Sequence, residues 1–87
     1  MEALDGNAIA GELCELYGTD MTMARGTCAH CGTESVIAEL RVYGRPPGEV
    51  VRCPHCAGVV IVLVTIRGTP RMHSGSFRLA KLHGVGG

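Results

Sequence analysis

Two short cysteine pairs decide the fold of this chain: Cys28-Ala29-His30-Cys31-Gly32 and Cys53-Pro54-His55-Cys56, with twenty-one residues between Cys31 and Cys53. Two residues between paired cysteines allow a tight turn that brings both thiols to one side of the backbone. Two such turns supply four thiolates in a tetrahedron, about 2.3 Å from a zinc ion. The spacing therefore predicts one Zn²⁺ per chain, bound by Cys28, Cys31, Cys53 and Cys56. Iron is the alternative metal, and two disulfides or four unrelated thiols are the alternatives without metal.

The residues after each pair suggest how the turns close. Gly32 follows the first pair and suits the left-handed conformation that ends such a turn. The second pair is followed by Ala57 and only then by Gly58. Because a non-glycine residue at positive φ costs about 1 kcal/mol, we expect the second turn to close slightly differently.

The length of 87 residues is enough for a single small domain, residues 1–87. Hydrophobic residues make up 46% of the chain, which excludes general disorder, but aromatic residues make up only 3%. A chain of this size buries only about 60% of its unfolded surface and commonly needs a metal, a disulfide or an oligomer to fold stably. We therefore expect the cysteine cluster to provide much of the stability.

Hydrophobic spacing predicts the secondary structure. Residues 5–18 should form a helix that docks through Ile9, Leu13 and Leu16, which share one helical face. Alternation predicts a strand over residues 36–43, and the apolar residues 58–67 suit a central strand. Residues 71–82 are predicted as an edge strand, and residues 84–87 as a flexible tail.

At the cysteine pairs the chain resembles a zinc ribbon, the rubredoxin-like arrangement of two metal-binding turns on antiparallel hairpins, over residues 25–67. With the predicted helix, this resemblance implies a small α+β domain: an N-terminal helix packed on an antiparallel zinc-ribbon sheet of three to four strands. Four short segments also resemble a family of small bacterial proteins of unknown function: Leu4-Asp5-Gly6-Asn7-Ala8, Gly26-Thr27-Cys28, Pro47-Gly48-Glu49-Val50 and Arg52-Cys53-Pro54. This resemblance implies no activity.

Charge is distributed unevenly along a chain whose formal net charge is zero. Residues 1–20 contain five acids and no base, whereas residues 67–87 contain four bases and no acid. Segregated charge favours a partner of opposite sign. The predicted partner-binding residues are the C-terminal bases and the two turn histidines: Arg67, Arg71, Arg78, Lys81, His30 and His55.

Four cysteines close the coordination shell of zinc, whereas a catalytic zinc normally keeps one position open. We therefore predict a protein that is not an enzyme, in which zinc is structural and the domain is an adaptor that binds another protein, with self-association included. One alternative is a module that binds RNA or DNA through the basic C-terminal region, where only Phe77 could stack on a base. The other is a small iron-thiolate electron carrier.

The sequence also predicts a location. The first residues are acidic and do not resemble a signal peptide, and the apolar run at 59–64 is far shorter than the ~20 residues of a membrane span. We expect a cytoplasmic protein with no membrane contact, since thiols stay reduced in the cytoplasm and are then available to a metal. Cys14 lacks a pairing partner and is expected to be a small buried residue.

Overall fold

The computed structural model describes residues 3–45 and 47–80. Strands account for 45% and helical turns for 19% of these residues, so the fold is mostly β. The strands are β1 (Leu4–Asp5), β2 (Arg25–Cys28), β3 (Glu34–Val36), β4 (Arg41–Arg45), β5 (Gly48–Arg52), β6 (Val59–Ile66), β7 (Thr69–His73) and β8 (Phe77–Leu79). The α-helix in this part of the chain is α1 (Ala10–Tyr17), and 3-10 turns occupy Gly6–Ile9 and Ile37–Glu39.

The strands form two antiparallel sheets that share one core. The larger sheet has the order β1-β4-β5-β6-β7, and the smaller one has the order β3-β2-β8. A β-bulge interrupts the β5–β6 register between Val51 and Arg52. The core is built from buried apolar side chains of both sheets, of α1 and of the 3-10 turns: Ile9, Leu13, Met21, Cys28, Ile37, Leu40, Val42, Val51, Cys53, Val60, Ile61, Leu63 and Phe77.

This architecture contradicts the predicted fold class. A small α+β domain with a helix packed on one zinc-ribbon sheet of three to four strands is wrong, because residues 25–67 are divided between two sheets. Strands β2 and β3 belong to the smaller sheet, and β4, β5 and β6 belong to the larger sheet. The helix contributes only eight residues to a mostly β molecule.

The 3-10 turn at Ile37–Glu39 causes this division. Apolar alternation predicted one strand over residues 36–43, but the chain leaves the smaller sheet at Val36 and enters the larger sheet after the turn. The carboxylate of Glu39 accepts a hydrogen bond from the amide of Val36 at 3.0 Å, and the amide of Ile37 donates to the carbonyl of Ala24 at 3.0 Å. Because these bonds satisfy the backbone outside a strand ladder, the turn is stable where alternation predicted a strand.

Helix α1 packs against the larger sheet near β7. Ile9 and Leu13 are both 0% exposed, but Leu16, which the helical pattern also placed in the docking face, is 39% exposed. Cys14 is exposed too, so its predicted burial is wrong. The first half of the helix therefore docks on the sheet. The helix ends at Gly18, which adopts a left-handed conformation with φ of 76°.

A pair of carboxyl groups lies between α1 and the larger sheet. Glu49 on β5 is only 4% exposed, and Oε2 of Glu12 is buried without a hydrogen-bond partner among the described residues. Burial, followed by a hydrogen bond with Glu12 and the charge of Glu12, raises the pKa of Glu49 from 4.5 to about 7. The inner face of the sheet therefore contains an acid pair within an otherwise apolar core.

Gly6 passes so close to the backbone of Ile37 that an added Cβ would overlap the carbonyl oxygen of Ile37. We expect Gly6→Ala to lower the free energy of unfolding by about 1–3 kcal/mol, because the two 3-10 turns would have to move apart. The matched control is Gly11→Ala, where no atom lies within 4 Å of the added Cβ and helix propensity predicts a gain of about 1 kcal/mol. Urea unfolding measures both changes, and a neutral Gly6→Ala would contradict the close approach.

The C-terminal region does not form one strand. Within the predicted edge strand at 71–82, the chain ends β7 at His73 and then forms β8. Strand β7 is the last strand of the larger sheet, and β8 is the last strand of the smaller sheet. Lys81 and the predicted tail at 84–87 lie outside the described residues. Among the described residues, no helix combines the length and the apolar character that crossing a membrane requires.

Candidate metal centre

Each cysteine pair lies in the turn between two paired strands. Cys28 and Cys31 belong to the turn from β2 to β3, whereas Cys53 and Cys56 belong to the turn from β5 to β6. The first hairpin is part of the smaller sheet and the second is part of the larger sheet. The four thiols therefore meet where the two sheets come together.

The four sulfur atoms are arranged closely enough to bind one ion. All four Sγ atoms lie within 4.8 Å of one another. The Sγ atoms of Cys28 and Cys56 are 3.7 Å apart, as are those of Cys31 and Cys53. A tetrahedron with metal–sulfur bonds of about 2.3 Å has edges of about 3.8 Å, whereas a disulfide bond is about 2.05 Å long. The cluster has the dimensions of a four-thiolate metal site.

The two turns have the same backbone hydrogen bonds. In the first turn, the amide of Cys28 donates to the carbonyl of Thr33 at 3.0 Å, and that of Gly32 donates to the carbonyl of Cys28 at 2.8 Å. In the second turn, the corresponding bonds, Cys53 to Gly58 and Ala57 to Cys53, are both 2.9 Å long. Gly32 has φ of 79° and Ala57 has φ of 63°. The expectation that the second turn closes differently is wrong, because Ala57 adopts the left-handed conformation despite its cost.

Each sulfur atom has a nearby hydrogen-bonding group. The amide of His30 donates to Sγ of Cys28 at 3.3 Å, that of His55 donates to Sγ of Cys53 at 3.4 Å, and that of Gly58 donates to Sγ of Cys56 at 3.4 Å. The hydroxyl oxygen of Thr33 lies 3.3 Å from Sγ of Cys31. Donors to sulfur favour the thiolate, which is the form that binds metal.

The pKa values of the two exposed thiols in the cluster are shifted in opposite directions. Hydrogen bonds from the side chain and the backbone of Thr33 lower the pKa of Cys31 to about 6. The backbone amide of Gly58 also lowers the pKa of Cys56, but desolvation and the neighbouring thiols outweigh it and raise this pKa to about 11. Four thiolates this close repel one another, and a bound divalent cation supplies the positive charge that offsets this repulsion.

The two histidines of the turns have different surroundings. Nε2 of His30 lies 2.9 Å from the carbonyl oxygen of Val59, and a Cβ added to Gly58 would lie 2.7 Å from the ring. The side chain of His30 therefore connects the first turn to the second. His55 is exposed and lines a cleft of about 400 Å³ together with Pro54 and Arg41.

Among the described residues, the predicted basic C-terminal residues do not all lie on one sheet. Arg67 lies in the turn between β6 and β7, and Arg71 lies on β7 of the larger sheet. Arg78 lies on β8 of the smaller sheet, opposite Thr27. Because neighbours in sequence enter different sheets, the structure does not bring Arg71 and Arg78 onto a common sheet face.

Arginines from elsewhere in the chain do share a sheet with Arg71. Arg41 on β4 and Arg52 on β5 are direct cross-strand partners. The guanidinium of Arg52 lies 5.8 Å from the ring centroid of Tyr43, and its Nη1 donates to the carbonyl of Ala57 at 2.8 Å. Strand alternation was the signal that could have identified these residues, because Arg41 and Tyr43 flank buried Val42 on β4.

Comparisons with known proteins give one finding. Neither a curated protein nor a solved structure matches the chain. A family model described as "Family of unknown function (DUF6510)" matches residues 1–83, nearly the whole chain with both cysteine pairs. The protein belongs to this family, and its described residues contain a cysteine cluster that could bind a metal ion.

Proposed function

We propose that this protein is a non-catalytic binding module, stabilised by one structural zinc ion, whose partner is another protein. The observation that carries the proposal is the closed set of four sulfur atoms, all within 4.8 Å of one another. Each sulfur has its own hydrogen-bonding group, and the set connects hairpins of two different sheets. A site of this kind contributes folding energy.

Zinc is the metal we propose because it favours tetrahedral thiolate sites and undergoes no redox chemistry. The resemblance to zinc ribbons rests on the two turns alone and supports the same choice. Iron bound by four thiolates would make the protein an electron carrier, and the two metals differ in their absorption spectra. A four-thiolate site requires reduced cysteines, so the compartment we propose is the cytoplasm.

A closed thiolate shell argues against an enzyme, since a substrate or water would have no open metal position to occupy. A protein partner is favoured over nucleic acid because Arg71 and Arg78 lie on different sheets. The predicted basic C-terminal surface for RNA or DNA is therefore not formed by these two residues.

Metal analysis tests the central part of the proposal. We expect elemental analysis of protein purified without added metal to give one zinc per chain and no visible thiolate absorption band. Cys14→Ser is the matched control and should keep the same stoichiometry, because Cys14 lies on α1 and is not a member of the cluster. Iron with a visible absorption band, or protein that folds with no metal, would contradict the assignment.

A further inference from the structure

One side of the larger sheet points away from the core. Side chains alternate along its strands: Val51, Ile61 and Leu63 are at most 1% exposed, whereas Val50, Val62 and Val64 beside them are partly exposed. These outward residues form a surface that we call the basic face: Arg41, Tyr43, Arg45, Val50, Arg52, Val62, Val64, Arg71 and His73.

Strand register orders these residues. Arg41 is opposite Arg52, and in the next row Tyr43 is opposite Val50, which is opposite Val62. Val62 is in turn opposite His73, and Val64 is opposite Arg71. Arg45 on β4 lies in the same row as Val64 and Arg71. Partly exposed valines thus occupy the centre of the basic face, and arginines occupy three of its corners.

The basic face is unbalanced in charge. It carries four arginines, and the acid closest to them in register is Asp5, which is opposite Arg41 at the edge of the sheet. One oxygen of Asp5 already accepts the amide of Asn7 at 3.0 Å. Among the described residues, the ion pair within 4.0 Å is Arg25 with Glu34 on the smaller sheet. Arg41 and Arg71 are therefore available to carboxylates from outside.

The geometry suits a helix of limited length. Arg41 on β4 and Arg71 on β7 are three strands apart, about 14 Å, and two residue pairs apart along the strands, about 13 Å. Their diagonal of about 19 Å matches about 13 helical residues, and the valines lie along it. A sheet face of this kind is normally covered by a helix that packs an apolar stripe on it.

Two other occupants fit less well. Valines offer no aromatic face to a base, and the guanidinium of Arg52 already covers the ring of Tyr43, so single-stranded nucleic acid lacks the stacking on which it depends. A second copy could offer the acidic helix α1, but α1 packs on the opposite side of the same sheet. Such contacts would continue from copy to copy without closing.

We propose that the basic face binds an acidic amphipathic helix of a partner protein. This inference rests on the proposed function, because it names the surface and the partner chemistry of the binding module. The apolar stripe of the helix packs on Val50, Val62 and Val64, and its flanking carboxylates pair with Arg41 and Arg71. An apolar centre surrounded by arginines is the composition of protein interfaces.

The experiment uses a labelled 18-residue helical peptide of Leu, Ala and Glu, with Leu at helical spacing and Glu on both sides of the Leu stripe. Fluorescence anisotropy at low salt measures its binding to the zinc-loaded full chain. We expect Arg41→Gln with Arg71→Gln to weaken binding about tenfold, which is about 0.7 kcal/mol for each ion pair. Arg25→Gln with Arg78→Gln removes the same charge from the smaller sheet and should change binding less than about twofold.

Val62→Thr keeps the volume of the side chain while adding a hydroxyl, and it should weaken binding about threefold because it reduces the apolar contact. No binding of the Glu peptide, or equal weakening by both arginine pairs, would overturn the proposed surface. If the peptide binds equally well to all variants, the adaptor function survives and only the surface is wrong. If a 15-residue oligouridine binds and the peptide does not, both the surface assignment and the protein-binding function fail.

Discussion

Replacing Cys28 or Cys53 with Ser should release the metal and unfold most of the chain. Both side chains are 2% exposed and belong to the core, and each anchors the hairpin of a different sheet. A structural zinc site contributes an apparent binding free energy of about 10–16 kcal/mol, which is comparable to the whole stability of about 5–15 kcal/mol of a typical domain. Circular dichroism and a chromogenic zinc chelator measure the loss of structure and of metal together.

Cys14→Ser is the control for a change of thiol outside the cluster and should leave both signals unchanged. Treating the unaltered protein with a strong chelator should give the same unfolded spectrum as Cys28→Ser. A variant that loses its metal but keeps its spectrum and its melting temperature would mean that the two sheets hold together without the ion.

The second large effect concerns the helix. We expect Leu13→Ala to lower the free energy of unfolding by about 2–5 kcal/mol, because this side chain is 0% exposed and its removal leaves a cavity beside the sheet. Leu16→Ala is the matched control three residues later, where 39% exposure predicts a loss below about 1 kcal/mol. Urea unfolding of both variants distinguishes a docked helix from a free one, and similar losses would show that α1 packs differently.

The two turns of the cysteine cluster could be predicted because they depend on local sequence. Two residues between cysteines are enough to specify a tight turn, so the approach of Cys28 to Cys31 needs no knowledge of the rest of the fold. The approach of Cys31 to Cys53, at 3.7 Å between sulfurs, depended on the assumption of two adjacent hairpins. That assumption placed the thiols together although the sheets around them were predicted wrongly.

The prediction of the sheets was wrong because apolar alternation does not indicate where the chain passes from one sheet to another. Residues 36–43 show the apolar alternation that is typical of a strand, yet Glu39 caps a 3-10 turn in the middle of them. For the same reason the basic face could not be predicted: Arg41 and Arg71 are thirty residues apart, and only strand register brings them onto one sheet. Runs of charge along the sequence indicated Arg78 instead, which lies on the other sheet.

The buried carboxyl pair makes folding a proton-uptake reaction. The pKa of Glu49 rises from 4.5 to about 7 through burial and then through Glu12, so the folded chain retains a proton that the unfolded chain releases above pH 4.5. The stability linked to this group is complete below about pH 4.5, falls as the pH rises from about 4.5 to about 7, and is constant above that. Between these two pH values folding therefore takes up a proton, which couples the folding equilibrium to the acidity of the solution.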